Sequence, residues 1–268
     1  MSDGSRTSEL NGRLWGARAG DWANHQEPVQ EPLYKAVLDA AGVEAGTRFL
    51  DVGCGAGMTV KLAAARGAEA TGLDAAADLL EFASSRTPTV DFHVGDLEEL
   101  PFADGEFDVV SGINSFQYAG NPVAALSEAR RVVGMNGKVV VVTWGEPEGM
   151  EAAKIITALK PLMPPPPPGA PGPFALSDEN ALRSFAEQAN LEAIEIFDVD
   201  CPFEYTDIET AVRGMSSAGV AVKVMEVVGE KAVEEAYRNA FAEFQQPDGS
   251  VRVGAAFRCL VGQPSPET

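Results

Sequence analysis

An apolar run that ends in an acid, Phe49-Leu50-Asp51-Val52, opens directly into Gly53-Cys54-Gly55-Ala56-Gly57 and then a helix-forming stretch from Met58 to Arg66. Glycines at three alternate positions let the backbone turn tightly and approach a ligand. The helix that follows offers unpaired N–H groups and the positive end of its dipole. Turns of this kind bind more than one class of nucleotide. The dinucleotide fingerprint requires GxGxxG/A, but counting from Gly53 puts Met58 at the last position, and counting from Gly55 puts Val60 there. A nicotinamide-dependent oxidoreductase is therefore the weaker reading. Further chemistry-bearing residues stand at strand ends. Asp74, 23 positions after Asp51, closes the run Ala70–Leu73; Asp96-Leu97 follows Val90–Val94; Asn114 comes directly after Phe107–Ile113.

The Asp-x-Gly-x-Gly-x-Gly form resembles the first motif of class I S-adenosylmethionine-dependent methyltransferases, in particular the type 11, UbiE-like branch that acts on small molecules. The likeness continues through Asp74, through Gly95-Asp96-Leu97-Glu98-Glu99-Leu100-Pro101-Phe102, and through Phe107-Asp108-Val109-Val110. It implies S-adenosyl-L-methionine as cofactor, held by Asp51, Gly53, Gly55, Gly57, Asp74, Asp96 and Leu97. In the family, the acid matching Asp74 binds both ribose hydroxyls, the one matching Asp96 faces the adenine amino group, and the next backbone N–H, here that of Leu97, meets the ring. Asp51 would hold the glycine loop, and Asn114 falls where the methionine end of the cofactor should lie. Arg130 to Lys138 occupies the place of the family's Arg-x-Leu-x-Pro-Gly-Gly turn, with Met135 and Asn136 departing from that pattern. The segment Trp15 to Trp22 resembles an N-terminal piece that folds over the methionine carboxylate in several members, and Arg18 would suit that charge. His25 is the histidine better placed to act as a base; His93 lies within a strand.

These residues need a frame to hold them, and the alternation of strand-like and helix-like runs from Arg48 to Thr143 supplies one. It predicts an α/β fold: a Rossmann-like, doubly wound, mostly parallel seven-stranded sheet with helices on both faces and an added helical cap. The expected organisation is a disordered start (1–13), a helical lid (14–45), a methyltransferase domain (46–145 and 174–268) with a cap insertion at about 206–246, and a helix plus proline-rich connector (146–173). Within that connector Pro164 to Pro168 is an unbroken run, which fits neither helix nor central strand. In the cap, Met215, Val220, Val224, Met225, Val228, Phe241 and Phe244 suit either a core or an adaptable apolar wall.

Composition narrows the partners. With 40 acidic and 20 basic residues the formal net charge is −20, a field that repels nucleic-acid phosphates and anionic lipid. Nucleic-acid amino-methyltransferases show Asn/Asp-Pro-Pro-Tyr after the fourth strand, where this chain has Asn114-Ser115-Phe116-Gln117. The expected partner is thus a small-molecule methyl acceptor, hydrophobic or aromatic, with neither nucleic acid nor membrane. Cys54, Cys201 and Cys259 match no disulfide framework or zinc spacing, and the chain has no signal-like start or apolar span, so a cytoplasmic setting is expected. A non-catalytic S-adenosylmethionine-binding protein is the alternative from another class.

Overall fold

The computed structural model describes residues 7–164 and 172–265. Seven strands form one sheet: β1 (Arg48–Val52), β2 (Glu69–Asp74), β3 (Asp91–Val94), β4 (Phe107–Ile113), β5 (Val133–Trp144), β6 (Leu191–Asp200) and β9 (Ala256–Pro264). Their order is β3-β2-β1-β4-β5-β9-β6, with β9 antiparallel to both neighbours. The remaining two, β7 (Phe203–Tyr205) and β8 (Val251–Val253), make a separate antiparallel ribbon. This is the mostly parallel, Rossmann-like sheet expected from the sequence. Strand order reverses at the β1/β4 boundary, the place where open α/β sheets bind ligands beyond the carboxyl ends of their strands.

The central strands β1, β4, β5 and β9 are buried on both faces, which explains their near-continuous apolar character, whereas the edge strands β3 and β6 are largely exposed. Val140 and Val142 of β5 join Phe49, Phe257 and Val261 in the core under helix Glu31–Ala41 and the cap. Val139 and Val141 point the other way, to Leu50, Val52 and Leu260 under helices Pro122–Val132 and Glu179–Gln188. Asp51 alternates with Leu50 and Val52, so it shares the face of Phe49 and lies at the lead-in side.

Several elements differ from expectation for local reasons. Residues 7–13 belong to helix Thr7–Gly16, and residues 1–6 lie outside the described part. That helix seats on the sheet's carboxyl side: a Cβ on Gly12 would come within 2.4 Å of the Ala75 carbonyl oxygen. The lead-in is not one helix but a π-helix, Trp22–Gln26, and a 3-10 turn, Glu27–Gln30, ahead of Glu31–Ala41. Asn136-Gly137, which reads as a turn, runs inside β5 as a bulge opposite β4. A Cβ on Gly137 would sit 2.5 Å from the Asp108 carbonyl oxygen, so only glycine allows that approach. The 252–261 stretch divides into β8 and β9. Helix Glu179–Gln188 is capped by Asp178, whose Oδ1 accepts from Ala181 N. The later part of the cap breaks at Gly229 (φ +88°) into helices Gly219–Val228 and Glu230–Phe241. The proline run beyond Pro164 falls outside the described residues.

The cap thus lies between the strands of the β7/β8 ribbon and packs on the lead-in. Its first helix, Ile208–Ser216, is capped by Asp207, whose Oδ1 accepts from Thr210 N at 2.8 Å. Ion pairs join the two layers at their rim: Arg213 with Asp21 at 2.6 Å, Arg18 with Glu230 at 2.5 Å, and Arg13 with Glu226. Partly exposed pairs of this kind contribute at most about 1 kcal/mol each. Aromatic packing carries more of the contact, and Met215, Phe241 and Phe244 are core residues of this layer.

Candidate functional site

The glycine loop leaves β1 with positive φ at Gly53 (+75°), Gly55 (+58°) and Gly57 (+80°). Gly53 also packs so closely that a Cβ there would meet the Ser115 Cβ at 2.4 Å. The loop is tied to the end of β2: Gly53 N and Cys54 N both donate to the Leu73 carbonyl, at 2.7 and 3.0 Å. Asp74 completes the tie, accepting from Gly55 N at 2.9 Å and from Ala76 N at 2.8 Å. Both carboxylate oxygens are thereby oriented at the carboxyl end of the sheet. Asp51, 2% exposed, accepts from the Ser111 hydroxyl at 2.6 Å across the β1/β4 boundary.

A third acid closes the group, one the sequence reading missed. Glu27, also 2% exposed, comes from the lead-in; its Oε2 pairs with Arg86 at 2.6 Å, and its Oε1 lies near Met58 N at 3.4 Å. Arg86 reaches on to the carbonyls of Ala56 and Ala23, bolting the lead-in to the loop. Burial pushes the Glu27 carboxyl up to about 7 against the pull of Arg86. Burial, reinforced by the negative charges of Glu27 and Asp74, carries Asp51 to about 7 against the hydroxyls of Ser111 and Thr59. Asp74 is raised by burial too, opposed by backbone N–H groups of Ala76, Gly55 and Ala75. Three carboxyls whose charge is costly when buried form a site suited to a cation. The one signal for Glu27 in the sequence is the Glu27-Pro28 pair at a helix start, which any surface helix could share.

Other expected residues are distributed around this centre. Asp96 sits after β3, accepting from Ser8 Oγ at 2.8 Å and Glu98 N at 2.9 Å, with Leu97 partly buried beside it. The first helix therefore reaches the Asp96 side of the site. Asn114, at the end of β4, takes the left-handed region (φ +49°); its Oδ1 accepts from Gln117 at 3.1 Å. Arg18 is not brought to the loop. Its two terminal nitrogens pair with Asp21 at 3.1 Å and with Glu230 of the cap, while its Nε is buried without a partner. His25 faces Asp21, 3.9 Å from its carboxylate, and among the described residues no bond joins it to Asp51, Asp74 or Glu27. An open groove of about 500 Å³ is lined by Gly16 to Asp21, Asn24 and Arg213, and none of the three central acids contributes to it. Over the loop itself stand aromatic rings, Trp15 edge-on to Trp22 at 5.0 Å and to Tyr118 at 5.5 Å.

A methyltransferase-domain family profile matches residues 50–141. An uncharacterized protein of Mycobacterium bovis is 33% identical over 156 residues, covering 57% of this chain and 56% of that protein. A demethylmenaquinone methyltransferase of Renibacterium salmoninarum is 36% identical over 113 residues, covering 42% and 48% respectively. The chain spans about half the length of these relatives. Among solved structures, geranyl diphosphate C-methyltransferase of Streptomyces coelicolor, in complex with Mg2+, geranyl diphosphate and S-adenosyl-L-homocysteine, superposes with a TM-score of 0.59. That match covers 98% of this chain and 100% of the other at 14% identity, and it is a likeness of fold. The matched profile spans the glycine loop, Asp74, Asp96 and Asn114, so residues 50–141 of this chain carry a methyltransferase-domain match on a sheet whose fold is shared with that solved methyltransferase.

Proposed function

We propose that the protein transfers the methyl group of S-adenosylmethionine to a small, largely apolar or aromatic molecule. The observation that carries this reading is the arrangement of Asp74, whose two oxygens are fixed by Gly55 N and Ala76 N at the end of β2 beside a glycine loop. Each oxygen keeps acceptor capacity for a vicinal diol such as that of a ribose. The donor set fits the cofactor in charge as well, since Asp51, Asp74 and Glu27 surround the loop and S-adenosylmethionine carries two positive groups. Asp96 and Leu97 would take the adenine. When bound, the cofactor supplies a methyl group activated by its sulfonium.

This chain's own residues have the remaining tasks of orienting the acceptor and excluding water. The wall built by Trp15, Trp22 and Tyr118 suits an apolar ring, and the buried rings of Tyr205 in β7 and of Tyr237 and Phe241 in the cap pack in the core behind the lead-in. Likeness to a protein named for demethylmenaquinone methylation supports the same class. Among the described residues no helix is long and apolar enough to cross a membrane. Three free, buried cysteines suit a reducing, cytoplasmic setting.

The test is incubation with S-adenosylmethionine and a panel of uncharged phenols and quinols, reading S-adenosylhomocysteine. Its formation with a ring acceptor is the expected result. Tight cofactor binding with no turnover across apolar and polar panels alike would favour a non-catalytic binding role, and a larger thermal shift with NAD than with S-adenosylhomocysteine would reject the methyltransferase reading.

A further inference from the structure

The glycine loop's backbone donors are already committed. Gly53 N and Cys54 N donate to Leu73, Gly55 N to Asp74, and Gly57 N to the Cys54 carbonyl at 3.0 Å. Two side-chain donors beside the loop are not. The indole Nε1 of Trp22 and the hydroxyl of Ser115 are both buried without a hydrogen-bond partner. Their positions bracket the loop. Trp22 Nε1 lies 3.2 Å from where a Cβ on Gly55 would stand, and Glu27 Oε1 lies 3.4 Å from the same point. On the other side Ser115 Oγ is 3.2 Å from the corresponding position on Gly53. Ser115 is 5% exposed and follows β4, so it approaches across the boundary where the strand order reverses. Trp22 begins the π-helix of the lead-in, a distortion that re-aims side chains and recurs at functional positions.

A buried N–H or O–H without an acceptor is costly, and its presence in a native fold calls for a partner. Two unspent donors and one carboxylate acceptor around two glycines match the carboxylate and ammonium of an α-amino acid. Arg18, the sequence-based candidate for the carboxylate, is held by Asp21 and Glu230 instead. We infer that Trp22 Nε1–H and Ser115 Oγ–H donate to the α-carboxylate of the cofactor's methionyl end, while Glu27 accepts from its α-ammonium. This inference rests on the cofactor reading above, adds Trp22 and Ser115 to it and gives Glu27 a specific partner. It makes Trp22 and Glu27 the contacts by which the lead-in recognises a bound cofactor rather than merely covering the loop.

Calorimetry with two ligands that differ only in the carboxylate tests it: S-adenosylmethionine and its decarboxylated analogue. Trp22→Phe keeps the ring packing, and Ser115→Ala removes one oxygen; circular dichroism establishes that each variant folds, and either alone suffices to read the result. Each variant should weaken S-adenosylmethionine binding about tenfold, as expected for one hydrogen bond to a charged acceptor, and change the analogue's affinity less than about twofold. Equal losses for both ligands in a folded variant, or no loss for either, would overturn the inference. If Asp74→Asn weakens both ligands while these variants spare them, only this inference fails. Absence of S-adenosylmethionine binding by the unaltered protein would remove the cofactor reading and this one together.

Discussion

Removing the charge of Glu27 should flatten the pH dependence of stability. Burial raises this carboxyl from an ordinary 4.5 to about 7 in the folded protein, even with Arg86 beside it. An acid shifted upward keeps its proton in the folded state over a range where the unfolded chain has already released it. Between about pH 4.5 and 7 the folded state binds more protons, so stability falls as pH rises through that window and is level above and below it. This is the opposite sign to an acid lowered by a surface salt bridge. The gap between 4.5 and about 7 corresponds to about 3 kcal/mol for one group. Asp51 and Asp74, the other buried acids beside the loop, shift in the same direction and add to the total. The substitution Glu27→Gln keeps the shape and an acceptor for Arg86 but cannot titrate. Urea unfolding of the ligand-free protein at several pH values from 5 to 8 should show the unaltered chain losing about 2.5 kcal/mol more than the variant. Leaving Arg86 with a neutral partner offsets the variant's curve but adds no slope in this range. Parallel curves would refute the reasoning and mean that Glu27 titrates as an exposed acid does.

Three further outcomes follow from the same geometry. Asp74→Asn keeps the side chain's size but turns one of the two acceptors that hold Gly55 and Ala76 into a donor, so S-adenosylmethionine affinity should drop by about 2 kcal/mol or more in calorimetry, and the melting temperature should fall with the lost loop bond. Gly53→Ala places a Cβ 2.4 Å from that of Ser115 at φ +75°, and should cost more than about 2 kcal/mol of stability, read as a lowered melting temperature. Met215→Ala and Met225→Ala should separate core from wall: Met215 is 8% exposed and its truncation should destabilise by about 2 to 5 kcal/mol. Met225 is half-buried beside Arg18, and its truncation should raise the acceptor's KM while leaving cofactor affinity and melting temperature close to those of the unaltered protein.

The sheet was legible because period and punctuation agree over 48–143. Asp51, Asp74 and Asp96 stand at strand ends, and a strand end is visible as an apolar run that stops. What the sequence hid was of two kinds. Trp22 and Glu27 of the lead-in are distant in the chain from Arg86 and Ser115 and from the glycine loop, and they meet these only when the lead-in folds over the loop, so no local spacing marks them. Arg18 looked suited to a carboxylate because charge was the only information available; its actual partners Asp21 and Glu230 include one more than 200 positions away. The polar composition of residues 7–13 suggests disorder, yet their helical order comes from tertiary contacts such as Gly12 against Ala75 and Ser8 against Asp96. In the same way, β8 and β9 form one apolar alternation in sequence and are divided by the ribbon partner of β8, not by a strong turn signal.

The place of β9 in the sheet has a consequence for how the chain assembles. β6 joins the sheet through β9 alone, and β9 is made only after the whole cap has been synthesised. Until then the outer side of β5 and both sides of β6 carry unpaired backbone groups, a template on which a second nascent chain could add a strand. β6 guards itself against this. Glu192, Glu195, Asp198 and Asp200 are exposed along it, and its pairing is interrupted by a bulge between Ala193 and Glu195. Like charges repel a second copy in register, and the bulge spoils a long flat edge. The acidity of this strand thus serves the interval before β9 arrives, protecting an edge that the finished sheet half covers.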